Sequence, residues 1–176
     1  MPQPMASADI AGRWLTGSGS KRARTVAHHG VVKTLRGIVT VHYETFEHES
    51  DIGIRGFGQT IEEAFENAAI ALYSVMVNVG SIAPRDARTF SVTAPDRELL
   101  FVEWLNALLS LSDIEHMVFA RFEVIISGMS LTGRAWGEHL DHLRHQPRVE
   151  IKAATYHMLS VKKEHDLFVA QCVVDV

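Results

Sequence analysis

The sequence predicts an α+β domain, with two helices packed on a mostly antiparallel or mixed β-sheet. Two stretches, opening at Thr60 and at Asp96, repeat apolar residues at helical spacing behind good capping residues. Seven other stretches alternate apolar and polar residues or form short apolar runs, and turn residues separate several of them. At 176 residues, 47% hydrophobic and 22% charged, the chain is long enough for one buried core and ordinary for a globular domain.

The elements follow in order. Residues 1–36 are rich in Gly, Ser and Arg, show little periodicity, and read as a basic, disordered tail. The folded domain is expected from about Gly37 to Val176. Residues 37–45 (GIVTVHYET) and 51–58 (DIGIRGFG) read as strands; the three glycines of the second suggest bends or a close backbone approach. Thr60 is an N-cap, and Glu63 completes a capping box. From Ile61 to Met76 the apolar face of this helix is broad, and Gly80 is its expected stop. Residues 88–93 read as a strand. Asp96 then caps a second helix that carries Leu99, Leu100, Trp104, Leu105 and Leu108. It is apolar around most of its circumference, so it is expected to be the more buried of the two. Residues 117–126, 130–136, 149–162 and 167–176 read as four more strands, with a turn at Ser127–Gly128 and a polar connection over 163–166.

Composition narrows the function classes. The lone cysteine, Cys172, lies in the apolar run FVAQCVVDV and reads as a core residue rather than a nucleophile. A single thiol allows no disulfide within the chain and suits a reducing compartment. There is no secretory signal and no run long enough to span a bilayer, so a cytoplasmic location without membrane contact is expected. The net charge of −4 combines a basic first 36 residues with an acidic remainder. That balance argues against autonomous nucleic-acid binding and leaves RNA contact indirect. Neither a Walker-type phosphate loop nor a GxSxG elbow is present.

Three short stretches carry residue types that suit chemistry. The first, Phe46–Gly53, sets His48 three residues before Asp51. Carboxylate oxygens suit Ca²⁺, Mg²⁺ or Mn²⁺, and an imidazole adds affinity for Mn²⁺. By itself the stretch reads more readily as a solvated loop capped by Asp51. The second, Val149–His157, places Lys152 in an apolar-leaning strand, sharing a face with Ala154 and Tyr156, where it has room to reach a phosphate or carboxylate. A plain surface lysine fits as well. The third is the ending, Asp175 beside the Val176 α-carboxylate, which together offer up to four oxygens. A fourth stretch, Gly137–His145, concentrates histidines and acids, including Glu138, Asp141, His142 and His145. A polar loop is its simpler reading.

Taken in order, these stretches resemble the archease family, accessory proteins of the RNA-splicing ligase RtcB. The resemblance covers about residues 43–176. It rests on Phe46-Glu47-His48 with Asp51-Ile52-Gly53, TIEEAF from Thr60, Glu98-Leu99-Leu100, Trp104-Leu105-Asn106, Gly137-Glu138, IKAATYH from Ile151, and the closing Asp175-Val176. The family usually has Thr-Ala where this chain has Glu49-Ser50, and the extra charge of Glu49 bears on metal preference.

The resemblance implies a non-enzymatic activator holding a divalent metal (Ca, Mg or Mn) at Asp51 and Asp175, with His48 and Val176 nearby and a functional Lys152. Thr155, Glu138, Asp141 and His145 are secondary candidates. The implied partner is an RtcB-type ligase, which itself uses GTP and Mn²⁺ and is helped through guanylylation and repeated turnover in tRNA splicing and RNA repair. The alternative is a chaperone-like modulator of an RNA-modifying enzyme such as a tRNA methyltransferase. A self-sufficient metal-dependent hydrolase is a third reading, against which stands the lack of a second metal cluster or clear general base.

Overall fold

Alternation of period two and tight turns build the sheets, and two long helices cover them. The structure is a computed structural model that describes residues 29–31 and 41–176. Its strands are β1 (His29–Val31), β2 (Val41–His48), β3 (Asp51–Gly58), β4 (Asp86–Thr93), β5 (Met117–Ser127), β6 (Ser130–His139), β7 (Ala153–Ala154), β8 (Ser160–Glu164) and β9 (Leu167–Asp175). Its helices are α1 (Ile61–Met76), α2 (Arg97–Glu115) and the single turn α3 (His142–His145). The larger sheet runs β1-β2-β3-β9-β7, with β8 also paired to β9, and the smaller runs β4-β6-β5. Every pairing among the described residues is antiparallel.

Both helices open at the expected caps. The Thr60 hydroxyl accepts from the Glu63 amide at 3.1 Å, and Asp96 accepts from the Leu99 amide at 2.8 Å. The Glu63 carboxylate reaches back one residue beyond the capping-box pattern, to the Gln59 amide at 2.6 Å. Helix α1 stops at Met76 with an extended Val77, ahead of Gly80, which falls in a short 3-10 turn, Val79–Ser81.

The burial order of the helices is the reverse of the expectation. Helix α1 has no exposed residue, whereas α2 exposes Arg97, Glu98, Glu103, Ser110, Asp113 and Ile114. The reason is position: α1 packs on β3 of one sheet and β5 of the other. Its alanines let β3 come very close. A Cβ on Gly56 would stand 2.1 Å from the Ala64 carbonyl oxygen, and one on Gly58 2.5 Å from the Ala64 amide. The glycines of β3 therefore serve the close approach that the sequence suggested.

Residues 149–162 do not form one strand. Residues 149–152 are irregular, β7 is two residues long, and the chain bends at 156–158, with Met158 in the left-handed region (φ 52°), before β8 begins. Both short strands pair with β9, β7 at its end and β8 at its start. The expected shared face of Lys152, Ala154 and Tyr156 is lost with the strand: Ala154 is buried and the other two are exposed. The segments 1–28 and 32–40, which hold most of the expected tail and the start of the first expected strand, lie outside the described residues; His29–Val31 pairs with β2.

Candidate functional site

Sheet register brings the predicted residues to one end of the larger sheet. Across the β2–β3 turn His48 pairs with Asp51. The β3–β9 register pairs Ile52 with Val174, which sets Asp51 abreast of Asp175 one step further on. Strand β7 pairs Ala153 with Asp175. Residues directly opposite in an antiparallel sheet share a face, so His48, Asp51 and Asp175 project together, with the small Ala153 beside them. The turn between His48 and Asp51 holds Glu49 at φ 54°, which an L-residue adopts only where the structure requires it.

Lys152 joins this end through its backbone and its side chain. Its amide donates to the Asp175 carbonyl at 2.9 Å, and its Nζ donates to an oxygen of Val176 at 3.0 Å. Thr155 acts on the backbone: its amide and hydroxyl both donate to the Val173 carbonyl, at 3.0 and 2.8 Å. Lys152 also stands at the edge of a groove of about 460 Å³, lined by Met76, Leu109, Asp113, Met117 and Ile151 among others.

The donor types suit a hard cation, since two carboxylates stand on adjacent strands with the Val176 oxygens next to them. The fit is one of chemistry and register. Among the described residues no three His, Cys, Asp or Glu side chains gather at metal-holding separation, and the His48 ring is turned toward His157 instead.

Glu138, Asp141 and His145 form a bracket of their own where α3 meets the end of β6. His145 is fully buried. Its Nδ1 accepts from the Asp141 amide at 2.8 Å, and its Nε2 lies 3.2 Å from Glu138 Oε1. That pattern calls for the tautomer with hydrogen on Nε2. Asp141 caps the turn by accepting from the Leu143 and Arg144 amides. Burial pushes the Glu138 carboxyl up, but hydrogen bonds from the Ala83 amide, Arg144 and His145, with the Arg144 charge, outweigh it and hold the group down at about 2. Both nitrogens of His145 are therefore engaged in holding the fold. Burial pushes the Cys172 thiol up to about 12, in keeping with its reading as a core residue.

Residues 43–176, which take in nearly all of β2, every later element and each candidate residue, match the archease protein family (MTH1598/TM1083). The chain belongs to the archease family. It is 44% identical over 139 residues to protein archease of Pyrococcus abyssi, across 76% of this chain and 98% of that one. It is 39% identical over 136 residues to protein archease of Sulfurisphaera tokodaii, with the same coverage. The fold matches the solution structure of Methanobacterium thermoautotrophicum protein 1598 with a TM-score of 0.68 at 34% identity, across 77% of this chain and 99% of that one. The crystal structure of an archease, possible chaperone, from Thermotoga maritima matches with a TM-score of 0.52 at 21% identity, across 85% and 100%, and speaks to the fold alone.

Two residues of this chain stand out only in three dimensions. Asn106 on α2 grips β7 from both sides of its amide group: Oδ1 accepts from the Ala154 amide at 2.8 Å and Nδ2 donates to the Ala154 carbonyl at 3.2 Å. His157 sets its Nε2 3.2 Å from that of His48. Both lie within the stretches that carry the archease resemblance, so the signal was present; the contacts that give them a task join residues 48 and 109 positions apart.

Proposed function

We propose that this archease-family protein is a metal-binding accessory protein that activates an RtcB-type RNA ligase, promoting its guanylylation and repeated turnover in tRNA splicing or RNA repair. The observation that supports this most is the convergence of Asp51, Asp175 and Lys152 at one sheet end. In this reading Asp51, Asp175 and Val176, with His48, hold a divalent Ca, Mg or Mn ion. The ion supplies positive charge at an otherwise acidic tip. Lys152, paired with Val176 in the free protein, is positioned to exchange that partner for a phosphate of GTP in the ligase.

The surroundings suit docking. Glu47, Glu49 and Asp175 are exposed at this end, and a negative tip speeds encounter with a basic, RNA-facing cleft. Tyr156 is 65% exposed and Met158 43% exposed on the bend after Lys152, an apolar pair of the kind that anchors protein contacts. The test is ligase turnover with Asp51→Ala, Asp175→Ala and Lys152→Ala. Each is expected to lower the stimulation by at least about tenfold, as loss of a metal ligand or its outer partner does. Stimulation equal to wild type by all three overturns the proposal. The same variants separate it from a chaperone-like action on a tRNA methyltransferase, which works through surface patches and survives these substitutions.

A further inference from the structure

We propose that the outer face of the smaller sheet is a stacking platform for single-stranded RNA, built on Trp136 with Arg121 and Arg134. It lies on a different sheet from the Asp51 and Asp175 carboxylates. Alternation decides which residues face outward. On β5, Phe122 and Val124 are buried while Arg121, Glu123 and Ile125 are exposed. On β6, Leu131, Gly133 and Ala135 are buried, Thr132 and Arg134 are exposed, and Trp136 is half-buried. The buried set faces the helices: a Cβ on Gly133 would stand 2.1 Å from the Trp104 ring of α2. Register pairs Arg121 with Trp136 and Glu123 with Arg134, which brings the outward residues onto one surface. Strand β4 adds the exposed Thr89 and Ser91, opposite Arg134 and Thr132.

Both guanidinium groups sit on the one indole. The Arg121 Cζ is 3.8 Å from the ring centroid of Trp136 and the Arg134 Cζ 4.7 Å, within the range of cation–π attraction. Neither side chain forms an ion pair among the described residues, although Glu123 stands directly opposite Arg134. Each fork of N–H groups is therefore available to a phosphate, while guanidinium planes and the indole offer π faces to an unpaired base. The hydroxyls of Ser91 and Thr132, 3.2 Å apart, add neutral partners for sugar and phosphate oxygens. RNA suits this face better than a protein does. Its outward residues are mostly hydroxyl-bearing or charged, with Ile125 the large apolar one, whereas the cores of protein interfaces are depleted of charge. The net charge of −4 averages over the whole chain; on this face Arg121 and Arg134 outweigh Glu123. Such a platform binds chiefly by stacking and neutralises few phosphates.

The test uses the full chain with no ligase present. A short fluorescein-labelled oligouridylate RNA, single-stranded or annealed to oligoadenylate, is followed by anisotropy across a range of salt. The proteins are wild type, Trp136→Ala, Trp136→Phe, Arg121→Gln and Arg134→Gln. The basic first 36 residues are present in every variant, so differences among them read the sheet face. Wild type is expected to bind the single strand more tightly than the duplex. Trp136→Ala is expected to weaken binding at least about fivefold, the lower end for one stacked base. Trp136→Phe keeps a ring and is expected to recover most of that loss, which separates stacking from damage to the fold. Each arginine variant is expected to flatten the logarithmic salt slope by about 0.7. No binding by wild type, equal binding of the duplex, or unchanged affinity in Trp136→Ala overturns the platform. A dimer broken by Trp136→Ala, with no RNA bound, overturns it too and assigns the face to a second copy of the chain. Because binding is read on the protein alone, the outcome is independent of whether Asp51, Asp175 and Lys152 act on a ligase.

Discussion

Glu138 shows how one residue joins fold and charge. Its carboxylate is almost fully buried, and the Ala83 amide, Arg144 and His145 all give it hydrogen bonds. Its carboxyl sits at about 2 in the fold against an ordinary 4.5, so the folded state binds this proton more weakly than the unfolded chain. The stability that it contributes is fully present above pH 4.5 and is lost as the pH falls through about 2. Chemical unfolding followed across that window is expected to show falling stability, and Glu138→Gln to flatten the slope. At neutral pH, Glu138→Ala leaves buried donors unmatched and is expected to destabilise by about 1–3 kcal/mol. A pH slope identical in wild type and Glu138→Gln would contradict the assignment.

At the scale of elements, α2 does more than cover a sheet. Through Asn106 it holds β7, and through Glu98 Oε1 it accepts from the Val161 amide of β8 at 3.3 Å. These polar grips replace the long strand that residues 149–162 do not form, and they set the backbone from which Lys152 and His157 extend. Asn106→Ala removes both bonds to Ala154 without emptying the apolar core. It is expected to raise amide hydrogen exchange across 152–157 while α1 keeps its protection, and to weaken any activity that depends on Lys152. Exchange unchanged over 152–157 would show that β9 alone holds the segment.

At the scale of the whole molecule, the two sheets meet through α1, and β9 is the spine of the larger one. It pairs with β3 along one side and with β7 and β8 along the other. Cys172 lies in this spine, fully buried, with its thiol held protonated up to about pH 12. Its modification by a thiol reagent at neutral pH is therefore expected to track global unfolding, with a rate that rises in step with denaturant. Fast labelling of the native protein would mean that β9 opens locally.

The sequence by itself determined the fold class, both helix caps, the strands at 51–58 and 117–126, and the residue types at the candidate site. These are local properties: a hydroxyl three residues before an amide, or a side-chain alternation of period two, acts within a turn or a strand. It misjudged which helix is deeper, because α1 is enclosed by two sheets that hydropathy does not report. It read 149–162 as one strand, because the breaks come from the left-handed bend at Met158 and the grip of Asn106. For Asp51, local spacing favoured a plain loop, and only the ordered family motifs pointed elsewhere. The family resemblance implied that Asp51 stands beside Asp175, which spacing could not derive; tertiary structure alone decided that Lys152 reaches Val176 and that His157 meets His48. Each of these contacts depends on sheet register between distant segments, and register is set by packing of the whole core rather than by the residues it brings together.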